Sequence, residues 1–225
     1  MNMKAISVVT ISFLAIACVA VHAQPLMHFT FNDGTTSDWS GNGVVGTLLG
    51  EAAIVDDAER GKVVQINARG MQAVGPFPMT TEYTIAAWFK LDVPRAGRVF
   101  IGGGSFQFRT DNQGGNLHHW VEYRHPNFLT KFDTRAEDNP DGQLDGNWHH
   151  YVWRLTEKGV FAMYVDGEMA PRRDDIGFED SDEGNLRPKD FGGTIEELIF
   201  GANSEDGSGG GGGHQGYIDN IRVYN

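Results

Sequence analysis

The stretch Y-T-I-A-A-W-F-K-L, Tyr83–Leu91, alternates its side chains with a period of two. One face carries Tyr83, Ile85, Ala87, Phe89 and Leu91, and the other Thr84, Ala86, Trp88 and Lys90. Both faces are partly apolar, as expected of a central strand whose outer side is covered or bears a ligand. Outward from it, similar alternating segments punctuated by Gly, Asn and Asp recur at 27–31, 63–66, 98–102, 105–110, 118–124, 149–156, 160–165, 197–202 and 216–224. No helical period runs longer than about two turns, so the pattern is all-β. Asp166-Gly167 and the run from Asp111 to Asn116 supply residues tolerant of positive φ where strands must reverse. This many strands exceeds what one twisted sheet accommodates, which predicts a two-sheet antiparallel β-sandwich.

The chain has 225 residues, 40% of them hydrophobic, enough to bury a core as one domain. Its 18 basic and 30 acidic residues give a net charge of -12, which repels nucleic-acid phosphates and excludes a general nucleic-acid binder. Lys4 is the only charge before Asp33; residues 5–20 are almost wholly apolar, and Val21-His22-Ala23 offers a small-x-small cleavage pattern. Residues 1–23 therefore read as a secretory signal peptide and 24–225 as the domain. The apolar run is short for a span of about 20 residues, so no stable membrane insertion is expected after cleavage, and the protein is expected to be secreted, periplasmic or extracellular. Cys18, the only cysteine, lies in the leader; a lipidated Cys18 is the alternative, although Ala15 stands three residues before it. Cleavage leaves no disulfide framework and no cysteine zinc site.

Two stretches carry little information on the fold. The acidic segment 172–185 reads as a solvated loop whose spacing differs from that of the twelve-residue EF-hand loop. The glycine run 207–213 lacks the Lys and Ser/Thr of a phosphate-binding loop and reads as a rim loop.

Four segments carry a family resemblance: F-N-D-G-T-T-S-D-W-S-G-N-G-V-V-G from Phe31 to Gly46, Y-T-I-A-A-W-F-K from Tyr83 to Lys90, N-W-H-H-Y-V with F-A-M-Y-V before Asp166-Gly167, and I-F-G-A-N with G-Y-I-D-N-I-R-V-Y at the end. In this order and spacing they resemble the concanavalin A-like jelly rolls of the laminin-G-like kind found in secreted bacterial proteins. The resemblance implies that the first and last strands lie side by side, in keeping with the alternation of Phe29 and Phe31 against Ile218, Ile221 and Val223. It also implies a structural calcium where these ends meet, with Asp38 and Asp219 as leading ligands and Asn32 and Asn42 beside them. Calcium takes six to eight hard oxygen ligands at about 2.3 to 2.6 Å. The alternative is that Asp38 and Asn42 cap a turn through local hydrogen bonds.

Such folds host lectins, hydrolases, lyases and adhesion domains, so activity must be argued from residues. Neither H-E-x-x-H, nor G-x-S-x-G, nor the E-x-D-x-x-E carboxylate motif of jelly-roll glucanases occurs. What remains is His118, Trp120, Glu122 and Arg124, which alternate onto one face of one strand. A Trp stacks on a pyranose while Arg, Glu and His bond its hydroxyls, so these four are the candidate ligand-binding residues of a noncatalytic module for a polysaccharide or surface glycoconjugate. Two alternatives stand beside it. One is a lyase acting on a uronate polymer, with His118, Tyr123 and Arg124 as its base and neutralising groups. The other is a protein-interaction or adhesion domain.

Overall fold

A computed structural model describes residues 23–67, 69–77, 82–91, 97–102, 106–113, 116–125, 128–133, 146–155, 161–169, 195–201 and 215–225; for 76–77, 97–102, 106–113, 116–125, 128–133, 155, 161 and 195–196 the description extends to backbone and strand pairing. The leader, the acidic segment and the glycine run lie outside it. The described residues hold fifteen strands: β1 (Met27–Phe29), β2 (Val45–Leu48), β3 (Ala53–Asp57), β4 (Gly61–Asn67), β5 (Met71–Phe77), β6 (Tyr83–Leu91), β7 (Gly97–Gly102), β8 (Phe106–Gln113), β9 (Asn116–His125), β10 (Phe128–Asp133), β11 (Trp148–Leu155), β12 (Phe161–Val165), β13 (Glu168–Met169), β14 (Ile195–Phe200) and β15 (Gln215–Tyr224). Among these residues no helix is long and apolar enough to cross a membrane.

The strands form two antiparallel sheets, as the alternation predicts. One runs β13-β12-β11-β6-β15-β4-β3 with β1 also on β15; the other runs β10-β9-β8-β7-β14-β5-β2. Between them lies the core. Tyr83, Ile85, Ala87, Phe89 and Leu91 of β6 are buried in it with Tyr151, Trp153, Met163, Ile218 and Val223, and the second sheet adds Met71, Ala73, Leu198 and Phe200. Trp153 is fully buried, stacked on Tyr151 at 5.6 Å and edge-on to Phe89 at 6.1 Å.

The two ends of the domain are neighbours. β1 pairs with the second half of β15, Met27 opposite Val223 and Phe29 opposite Ile221, while β4 pairs with its first half. The exchange of partner occurs at a bulge between Asp219 and Arg222, where Asn220 adopts φ 50°. An amide side chain tolerates this left-handed conformation better than most, and the extra residue re-aims its neighbours. At the start of β15, Gly216 is required by close approach: a Cβ there would stand 2.0 Å from the Lys90 carbonyl oxygen.

Candidate functional site

His118, Trp120, Glu122 and Arg124 all lie on β9, one strand in from the edge strand β10. Directly opposed residues of an antiparallel sheet share a face, so the register of β8, β9 and β10 sorts their residues into two sets. One set is the more apolar: Phe106, Tyr123 and Thr130 form one row and Phe108, Val121 and Phe132 the next, with Thr110 and His119, then Asn112 and Leu117, beyond them. The other is polar with an aromatic at its middle. Its rows are Asp111 and His118; Arg109, Trp120 and Asp133; Gln107, Glu122 and Lys131; and Arg124 with Leu129. All four candidates therefore share a face, joined by Gln107, Arg109, Lys131 and Asp133. Tyr123 falls in the more apolar set, apart from His118 and Arg124.

The residues expected to hold calcium sit at the joined ends. Asp38 Oδ1 accepts from the backbone N–H groups of His28 at 3.0 Å and Ser40 at 2.9 Å; Oδ2 accepts from the Ser40 hydroxyl at 2.7 Å and the Val44 N–H at 3.1 Å. Burial alone would raise this carboxyl, but the Ser40, His28 and Val44 donors outweigh it and hold its pKa below the usual value. Asn42 Nδ2 donates to the Leu26 and Pro25 carbonyls at 3.0 and 3.2 Å. These are the local bonds of a capped turn. Asn32 is exposed and faces the turn at Gly61. Asp219, 5% exposed, accepts from Arg60 Nε at 2.7 Å. His28 ties the Asp38 turn to the bulge of β15: its N–H donates to Asp38, while its Nε2 lies 3.1 Å from Asn220 Oδ1 and accepts from Arg222 Nε at 3.1 Å. The described residues contain no group of three or more His, Cys, Asp or Glu able to hold a metal ion. An ion reaching Asp38 would have to displace the N–H and O–H groups that already face both its oxygens.

The outer side of β6 is covered, as its mixed composition predicts, but by residues with no local sequence signal. The Arg60 guanidinium lies 4.1 Å over the Trp88 ring and 5.4 Å from that of Trp148. Trp148 Nε1 donates to Asp57, and the ring tilts against Tyr217 at 6.3 Å; His150 tilts against Trp88 at 5.0 Å. Burial raises the Asp219 pKa despite Arg60. His150 is lowered, first by burial; Asp166 raises it, and Arg60 and Arg222 lower it further. Cation, carboxylates and rings thus form one stack on this face.

The family model for the concanavalin A-like lectin/glucanase superfamily, of the laminin-G type, matches residues 64–225. The chain belongs to this superfamily. No curated protein matches it. Among solved structures, the superfamily fold recurs in the binding domain of Paraclostridial Mosquitocidal Protein 1, with a TM-score of 0.64 and 12% identity over 89% of this chain and 48% of that one. It recurs also in the binding domain of botulinum neurotoxin DC in complex with rat synaptotagmin II, at TM-score 0.63, 10% identity, and 89% and 48% coverage. A third is the botulinum neurotoxin serotype D ligand-binding domain in complex with N-acetylneuraminic acid, at TM-score 0.61, 10% identity, and 89% and 47% coverage. The chain spans about half the length of these neighbours, and at such identities the likeness is one of fold.

Proposed function

We propose that this superfamily member is an exported, noncatalytic recognition module for a polysaccharide or surface glycoconjugate, and that the polar rows of β8, β9 and β10 are its ligand face. The observation that carries the reading is the register, which surrounds Trp120 with Arg109, Asp133, Glu122 and His118 on a shared face. An aromatic platform ringed by side-chain donors and acceptors is what a sugar demands, since its C–H face stacks and its hydroxyls need partners. The neighbours that bind N-acetylneuraminic acid and synaptotagmin II lend the proposal general support, as domains of like fold with surface ligands.

The lyase alternative requires Tyr123 to work with His118 and Arg124, and the register assigns Tyr123 to the other face. A glycan array decides among the readings. We expect a discrete set of glycans to be retained, and no rise in absorbance near 235 nm when the protein meets alginate or glycosaminoglycans. An array without binding, or the appearance of unsaturated uronides, would overturn the proposal; retention of a partner protein alone would favour the adhesion reading.

A structural calcium at Asn32, Asp38, Asn42 and Asp219 stands as a separate proposal. A ligand that binds only the folded state must raise its stability, so EGTA should lower the melting temperature if the ion is present. A melting temperature unmoved by EGTA would leave the hydrogen bonds of Asp38 as the whole closure of the loop.

A further inference from the structure

On the outer face of the sheet that carries the chain ends, Arg222 makes no ion pair with any of the described residues. Arg222 is partly buried on β15, opposite Ala86 of β6, which in turn lies opposite Val152 of β11. A small side chain thus occupies the position between Arg222 and β11, flanked along β6 by Thr84 and Trp88. The Nε of Arg222 donates to His28 Nε2 at 3.1 Å, and among the described residues its two Nη groups have no acceptor. His150, opposite Trp88, has its backbone N–H bonded to Asp166 at 2.8 Å, but neither of its ring nitrogens has a hydrogen-bond partner among those residues. Arg60 uses Nε on Asp219, and its guanidinium plane is fixed over Trp88.

The described carboxylates near this group are engaged elsewhere. Asp219 holds Arg60; Asp166 accepts from the His150 N–H and lies 2.6 Å from His149 Nδ1; Asp38 accepts the four hydrogen bonds of its loop. Among the described residues these donors therefore remain without acceptors, on a chain of net charge -12 where carboxylates are abundant. Arg60 and His150 both lie against the Trp88 ring, at 4.1 and 5.0 Å, one register step along β6 from the Ala86 that faces Arg222. A guanidinium offers paired N–H groups that match two oxygens of one anion, and a protonated imidazole can add a third donor.

The geometry points to an oxyanion-binding site on this face, in which the Nη groups of Arg222 and Arg60 and the His150 imidazole receive a carboxylate, sulfate or phosphate group. It lies on the opposite layer from β8, β9 and β10 and is independent of the glycan reading. Binding would favour the imidazolium form of His150, so a bound anion must raise its pKa, and acidification must tighten binding.

The test uses the full chain and inorganic sulfate, with the imidazole signals of His150 and His28 followed by NMR across pH, against chloride at equal ionic strength. Sulfate should shift the His150 titration to higher pH, and Arg222→Gln should weaken sulfate binding about tenfold or more, the loss of at least one charge-assisted hydrogen bond. A wild-type His150 titration that is the same in sulfate and chloride would overturn the site, even if the variant fails to fold. So would a sulfate effect that survives intact in a folded Arg222→Gln protein. Glucuronate and inorganic phosphate then separate the sources: tighter binding of glucuronate supports the site as one for sugar acids, and equal binding supports it as one for the free anion.

Discussion

Trp153→Ala should cost about 4 kcal/mol of folding stability, which for a domain of this size lowers the melting temperature by about 8–16 °C. Trp153 is fully buried between the sheets, and Tyr151 and Phe89 pack against two sides of its ring. Both neighbours are themselves strand-bound core residues, so the space cannot close by local rearrangement. Removal of the indole thus forfeits its transfer free energy and leaves a cavity whose walls lose their contacts. Trp153→Phe retains much of the ring and should cost less than half as much. Urea unfolding followed by circular dichroism separates the outcomes, because a shift in midpoint at constant slope reports stability alone. A loss below about 1 kcal/mol in Trp153→Ala would show that this residue does not lie at the centre of the core.

Arg60→Ala is expected to be nearly as damaging, by a different route. Asp219 and Arg60 are 7% and 19% exposed at their side chains, and their 2.7 Å ion pair offsets the charge on Asp219, with the Asn220 backbone N–H adding a neutral donor. Removing one partner of such a pair leaves an uncompensated buried charge, a loss of about 3 kcal/mol. The cation also covers Trp88, so packing is lost with the charge.

The pH dependence tells the two losses apart. Burial already raises the Asp219 pKa, Arg60 opposes that rise, and the variant removes the opposition. A carboxyl whose folded pKa exceeds its unfolded one binds more protons when folded, so stability falls as pH rises through the interval between the two values. The deficit of Arg60→Ala should therefore be greatest near neutrality and shrink as pH falls toward the raised value of Asp219. A deficit independent of pH would assign the role of Arg60 to packing.

Apart from β1, which pairs only with β15, the strands that alternation located have neighbours on both sides. Tyr83–Leu91 was legible to the residue because it is central, pairing with β11 and β15, and every second side chain is fully or nearly fully buried. β2 and β3, which the sequence did not signal, are sheet edges; Val45 of β2 is 60% exposed, so no buried face marks the pattern. β5 was hidden by Gly75 and Pro76, which interrupt its alternation, and β10 by the Pro126-Asn127 that precedes it. The spacing of Ile218, Ile221 and Val223 is off a period of two by one residue, and that irregularity was the available sign of the bulge at Asn220.

The site divides in the same way. Residues of one strand, such as His118, Trp120, Glu122 and Arg124, are grouped by local geometry alone. Their partners Lys131 and Asp133 follow only once β10 has a register, which is a long-range property of the sheet. Arg60 meets Asp219 across 159 positions of sequence, and nothing near either residue announces the other.

The proposed recognition surface is best tested by titrating wild type and Trp120→Ala, with equal melting temperatures as a control, against a glycan retained on the array. Loss of the aromatic platform should weaken binding at least about tenfold, the scale of one ring stacked on a sugar. Equal affinity in the two proteins would contradict the account and place the ligand on another face.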